Sequence, residues 1–197
     1  MRSGMTKGFR DVTFVFLDRD GVLNRKPPTG KYVTCWAEFE LLPGVEEALR
    51  RINRSGRKAI VVTNQRGVAL GLYSLEQLAD MHERLRLGLV AHGAQLDAIY
   101  VCPHDDGQCD CRKPMTGLFE QAFRDFAEAR PANSVMVGDS LRDIEAGRRI
   151  GMRTVLIDDG VGAPTAEDLQ LARALADLAV PSLENFVDHY LCAQHLG

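Results

Sequence analysis

Five short apolar runs, each followed by a helix-like stretch, constrain this chain more than any other feature. The runs are residues 12–17, 58–63, 98–102, 134–137 and 154–157. Helix-like stretches occupy 44–55, 74–91, 117–129, 141–150 and 165–178. The second of these opens with Ser74 and carries Gln77 three residues later, the spacing of a capping box. Its Leu75, Leu78, Leu85 and Leu89 share one helical face. Apolar strands alternating with helices predict an α/β chain with a doubly wound, mostly parallel sheet, covered on both faces. In such sheets ligands bind beyond the carboxyl ends of the strands, so polar residues that directly follow the apolar runs are the candidates for chemistry.

Size and charge narrow the partner. A chain of 197 residues suffices for one domain with a real core. A net charge of -3 offers no basic field for nucleic acid. No apolar run approaches the roughly 20 residues that span a bilayer, and residues 1–10 lack the apolar stretch of a signal peptide. The expectation is a cytoplasmic protein, monomeric, with no nucleic-acid or membrane partner.

Four strand ends carry polar groups. The first run leads into Asp18-Arg19-Asp20-Gly21, and the fourth into Gly138-Asp139-Ser140-Leu141-Arg142-Asp143. Carboxylates crowded at the end of buried strands repel one another unless a cation stands between them. Magnesium suits this role, because it takes oxygen ligands and keeps several waters. The second run ends in Thr63-Asn64-Gln65, whose side chains suit phosphate oxygens, and Lys113 adds a positive charge. Taken singly, each group has a bland reading: Asp18 or Asp20 as a turn residue, Asp143 as an acid at a helix start, Thr63-Asn64 as a turn. Together they point to a phosphate site.

A second cluster follows the third run. Cys102-Pro103-His104 and Cys109-Asp110-Cys111 place three sulfurs and one imidazole in one short loop. That is a complete tetrahedral zinc set, and a full set leaves no position for water, so the metal would be structural. A disulfide or free thiols are the alternatives; clustering in a reducing compartment opposes the disulfide. Cys35 and Cys192 lie far from the loop in sequence.

These motifs resemble those of the haloacid dehalogenase superfamily: Phe16-Leu17-Asp18-Arg19-Asp20-Gly21 the first, Thr63-Asn64 the second, Lys113-Pro114 the third, and Asp139 to Asp143 the fourth. The Cys-His loop is similar to that of its zinc-bearing members, the heptose bisphosphate and histidinol-phosphate phosphatases. The resemblance spans about residues 12–160. It implies a Rossmann-like core and a phosphatase in which Asp18 is the nucleophile and Asp20 the acid–base group. Asp18, the backbone carbonyl of Asp20, and Asp139 would hold Mg2+, with Asp143 acting through water or as an anchor. Thr63, Asn64, Gln65 and Lys113 would hold the transferring phosphoryl, and Arg112 a second phosphate on a small phosphorylated sugar. Cys102, His104, Cys109 and Cys111 would hold Zn2+. Ser140 departs from the pattern, since many members carry a basic residue there.

The expected division is an N-terminal extension at 1–11, the phosphatase domain at 12–163 with its zinc loop at 102–111, and a helical segment at 164–197 packed on that domain. Neither 24–41 nor 67–98 is long enough for a folded cap, so the enzyme reads as capless. Arg25, Lys26 and Lys31 stand either as an attracting rim or as a solvated loop. Trp36 reads as a packed anchor and His82 as a core-edge residue. Competing readings are a histidinol-phosphate phosphatase, a capless phosphotransferase, and a catalytically silent zinc-bound module.

Overall fold

The computed structural model describes residues 8–159 and 165–192. The expected strands form: β1 (Phe14–Leu17), β2 (Lys58–Asn64), β3 (Ala98–Cys102), β4 (Ser134–Gly138) and β5 (Arg153–Ile157). The helices are α1 (Val45–Arg54), α2 (Leu75–Ala91), α3 (Gly117–Asp125), α4 (Leu141–Arg149), α5 (Ala166–Leu175) and α6 (Leu183–Phe186). A π-helical turn at Val187–Leu191 continues α6. With β6 (Leu178–Val180) the sheet runs β3-β2-β1-β4-β5-β6, and every pairing is parallel.

Side-chain alternation along the strands fills both faces. Val15 and Leu17 of β1 pack with Val61, Val135 and Val137 beneath α1 and α6. Phe14 and Phe16 point the other way, against Leu118, Phe119 and Ala122 of α3. Phe16 is fully buried and packs against the rings of Phe119 and Phe123. Burying such a side chain contributes about 1.5–3 kcal/mol. At α2, Ser74 Oγ accepts a hydrogen bond from the Gln77 backbone N–H and Gln77 Oε1 accepts one from the Ser74 backbone N–H, as the spacing predicted.

Two helix expectations need correction. The stretch 165–178 is not helical throughout: α5 stops at Leu175 and β6 follows at the sheet edge. Asp177 accepts hydrogen bonds from the Thr154 backbone and hydroxyl at 2.8 and 3.1 Å. That contact aligns Leu178 beside Val155, and tertiary pairing overrides local helix propensity. The stretch 117–129 also ends early, at Asp125, where Phe126 turns extended and sets its ring against Phe14.

The sheet's order gives the site its place. β1 lies between β2 and β4, so the residues after these three strands converge on one edge. Among the described residues, no folded insert covers that edge; the segment after β1 makes only isolated bridges and a 3-10 turn at Trp36–Glu38. Trp36 is half-buried and stacked on Phe39, ring centroids 5.2 Å apart. No helix of the described residues is long and apolar enough to cross a membrane.

Candidate active site

Asp18 leaves β1 with its backbone N–H donating to Val137 O of β4 at 2.9 Å. This bond carries the sheet's pairing one residue past the strand and brings the two acidic loops together. Carboxylate oxygens of Asp18, Asp139 and Asp143 all lie within 4.8 Å of one another. Burial, and then Asp143, push the Asp18 carboxyl up to about 6 against the pull of Lys113. Burial pushes Asp139 up to about 8, with Asp143 and Asp18 adding to the rise and Lys26 opposing it. Lys26 Nζ donates to Asp139 Oδ2 at 2.6 Å. Asp139 Oδ1 is buried with no hydrogen-bond partner. Crowded oxygens and an orphaned buried acceptor are what a hard divalent cation would satisfy, so the donor set fits magnesium.

Two glycines permit this crowding. Gly21 has φ +91°, and a Cβ there would lie 2.1 Å from Asp139 Oδ2. A Cβ at Gly138 would lie 2.1 Å from the Asp143 Cβ. Asp143 itself is fixed at the start of α4, where Ser140 N and Oγ donate to its Oδ2 at 3.1 and 2.5 Å.

Asp20 sits in a cradle of donors. Arg19 Nη2 donates to both of its oxygens, at 2.9 and 3.0 Å. Asn24 Nδ2 reaches Oδ1 at 2.9 Å, and Gln65 Nε2 reaches Oδ2 at 3.0 Å. Burial opposes its charge, but Arg19, with Asn24 and Gln65, holds the carboxyl below its ordinary value.

Lys113 is buried and touches three oxygens: Asp18 Oδ1 at 2.9 Å, Asp143 Oδ1 at 2.6 Å and Val62 O at 2.8 Å. Burial favours the neutral amine, yet Asp143 and Asp18 outweigh it and raise its pKa to about 12. It is therefore a fixed positive charge between two carboxylates.

The Cys-His loop closes on itself. Cys109 Sγ lies 3.5 Å from Cys102 Sγ and 3.2 Å from Cys111 Sγ. His104 Nδ1 is 3.7 Å from Cys102 Sγ and 3.4 Å from Cys111 Sγ. A zinc tetrahedron with Zn–S of ~2.3 Å has edges of about 3.8 Å, so the four atoms fit that metal after a slight expansion. All five cysteines are thiols. Burial opposes ionisation of the cluster, but hydrogen bonds from Cys111 hold Cys109 at about 7.

A cavity of about 610 Å³ is lined by Asp18, Asp20 and Lys113 together with Lys31, Arg112 and Arg142. Arg112 is mostly buried; its Nε donates to Asp106 Oδ1 at 2.6 Å, while its Nη1 has no hydrogen-bond partner.

Known proteins share this design. A family model described as HAD-hydrolase-like matches residues 110–186. A D-glycero-alpha-D-manno-heptose-1,7-bisphosphate 7-phosphatase of Mycobacterium bovis is 42% identical over 69% of this chain and 72% of its own. The corresponding beta-heptose enzyme of Haemophilus ducreyi is 39% identical over 89% of this chain and 96% of its own. The chain belongs to the haloacid dehalogenase-type phosphatases. The fold agrees: the D,D-heptose 1,7-bisphosphate phosphatase of B. bronchiseptica, solved with magnesium and phosphate, superposes with a TM-score of 0.78 at 28% identity. That match covers 89% of this chain and 96% of the other.

Not every predicted residue of this phosphatase sits as the motifs suggested. Asp18, Asp20, Lys113, Arg112, Asp139 and Asp143 border one cavity, and the Asp143 oxygens are held by Lys113 and Ser140. The Asn64 side chain is occupied with the backbone of Lys113. Gln65 Nε2 donates to Asp20 and to Thr63 Oγ1, and its Oε1 accepts from Tyr73 at 2.7 Å. On the rim, Arg25 pairs with Glu40 while Lys26 turns inward. Sequence reading passed over Arg19, Asn24, Tyr73 and the two glycines. A basic residue flanked by two aspartates after a buried strand was the available sign for Arg19.

Proposed function

We propose that this phosphatase removes the 7-phosphate of D-glycero-D-manno-heptose 1,7-bisphosphate through an aspartyl phosphate on Asp18. The observation that carries the chemistry is the convergence of Asp18, Asp139 and Asp143 on Lys113 beside the cradled Asp20. Support for the substrate comes from relatives of that activity along most of the chain and from Arg112, whose unpartnered nitrogen suits a second phosphate.

Asp18, Asp139 and Asp143, with the backbone carbonyl of Asp20, would hold Mg2+, whose charge when bound offsets that of the carboxylates and the phosphoryl group. Asp18 attacks phosphorus as the bond to the sugar oxygen breaks. Asp20 rests as the carboxylate that its donors favour; protonated in the substrate complex, it gives that proton to the leaving alkoxide, then takes one from the water that hydrolyses the acyl phosphate. Lys113 stabilises charge on the transferring group, and Thr63, near the end of β2, accepts a hydrogen bond from Gln65 Nε2. Asn64 and Gln65 serve this site by holding Lys113 and Asp20. The Cys102, His104, Cys109 and Cys111 set would hold structural Zn2+ and so fix the loop that presents Arg112. Thiols kept for a metal suit a reducing, cytoplasmic setting.

Phosphate release from the α and β heptose bisphosphates and from histidinol phosphate, with wild type and Asp18→Asn, tests the reading. Turnover of a heptose bisphosphate by wild type alone is expected. Preference for histidinol phosphate would overturn the substrate, and equal rates in the two proteins would overturn the nucleophile.

A further inference from the structure

Arg19 is the most unusual buried side chain outside the reacting groups. It is 1% exposed, although it is permanently charged. A buried cation must be paired, and its partners are few. Nη2 grips both oxygens of Asp20. Nη1 lies 3.2 Å from Nε2 of His82, which projects from α2 and is 7% exposed. The guanidinium carbon stands 5.6 Å from the centre of the Phe39 ring. Nε has no hydrogen-bond partner. Thus one end of the guanidinium holds Asp20, and a single imidazole holds the other.

The chemistry of this contact assigns the tautomer. An arginine N–H can only donate, so His82 Nε2 must offer its lone pair and the ring proton must sit on Nδ1. A protonated imidazole would face Arg19 as a second cation. Burial, with Arg19 adding to it, lowers the His82 pKa to about 4, consistent with a neutral acceptor. His82 does not itself line the cavity; it reaches the lining through its hydrogen bond to Arg19.

We propose that His82 is a positioning residue for the acid–base step, fixing Arg19 so that its guanidinium keeps Asp20 aimed at the leaving oxygen. The proposal rests on the reading of Asp20 as the group that protonates that oxygen. Without the imidazole, the guanidinium loses one of its two hydrogen-bond partners, and the single nitrogen that bridges both Asp20 oxygens loses its fixed orientation. Asn24 and Gln65 still hold one oxygen each, so the loss is partial.

Leaving-group dependence separates this role from general support of the fold. An alkoxide needs a proton as the P–O bond breaks, whereas p-nitrophenolate leaves without one. The ratio kcat/KM covers steps up to formation of the aspartyl phosphate, so later hydrolysis does not enter. For His82→Leu, kcat/KM on an alkyl phosphate substrate is expected to fall about tenfold, but on p-nitrophenyl phosphate to stay within about twofold. His82→Gln, which restores an acceptor, should recover most of the loss. If the leucine variant does not fold, His82→Asn, polar but too short to reach Arg19, gives the same readout. Equal losses on the two substrates, or no loss on either, would overturn the proposal. Asp20→Asn measured in parallel tests the underlying reading: it should show a larger leaving-group selectivity, and its absence there sinks the acid–base assignment itself.

Discussion

The side-chain amide of Asn64 brackets the backbone of Lys113: Nδ2 donates to the carbonyl and Oδ1 accepts from the N–H, each at 3.0 Å. The end of β2 thereby fixes the loop that delivers the buried ammonium to Asp18. Asn64→Ala leaves two backbone groups of Lys113 without these partners, at a cost of about 1–3 kcal/mol for each group that stays buried. We expect urea unfolding to show a loss of roughly 2 kcal/mol and kcat to fall about tenfold as Nζ is displaced. Wild-type kcat in a destabilised Asn64→Ala would show that the bracket supports stability alone.

Gly21 separates the nucleophile's loop from Asp139. Its φ of +91° and the 2.1 Å approach of a Cβ to Asp139 Oδ2 leave no room for a side chain. Gly21→Ala should fold, because the strain is confined to the single turn after β1, yet lose about 100-fold or more in kcat/KM as the carboxylates are pushed apart. Magnesium titration by calorimetry should show weakened binding. Retained affinity would place the damage elsewhere.

Crowding of the carboxylates predicts how magnesium and pH act together on stability. Asp18 and Asp139 have folded-state values raised from 3.8 to about 6 and about 8. Groups raised in the folded state contribute stability below pH ~4, and that contribution is lost as pH rises through their folded values. Metal-free protein should therefore lose stability between about pH 4 and 8. Magnesium offsets the repulsion, so its gain in Tm should be larger at pH 8 than at pH 5.5. Thermal scans with and without the ion at both values check this, and an equal gain at both contradicts it.

The zinc reading predicts one metal per chain by elemental analysis. Cys109→Ser should lower that content and reduce thermal stability, because the ligand set is assembled only in the folded chain, so metal binding is folding free energy. It should also raise KM for the bisphosphate more than for a monophosphate, because Arg112 follows the loop directly. Unchanged metal content in the variant would remove Cys109 from the ligand set.

Much of this was legible beforehand. Apolar runs and capping signals located five strands and most helices, since burial and the 3.6-residue period act locally. Asp18, Asp20, Lys113, Asp139 and the cysteine loop stood out because their chemistry is unusual after a buried strand. Helix ends were less legible: Phe126 and Leu178 leave their helices for partners distant in sequence, the Phe14 ring and Val155 of β5.

The linear chain by itself determined which residue types follow which strands, and hence the class of chemistry. The tertiary structure decided who serves whom. Only the parallel order placing β1 between β2 and β4 brings Asp143 within reach of Asp18 and Asp139, and turns Asn64 onto Lys113. Only packing of α2 sets His82 against Arg19, a contact between residues 63 positions apart. Such pairings depend on distance and orientation in space, which local propensity and spacing do not encode.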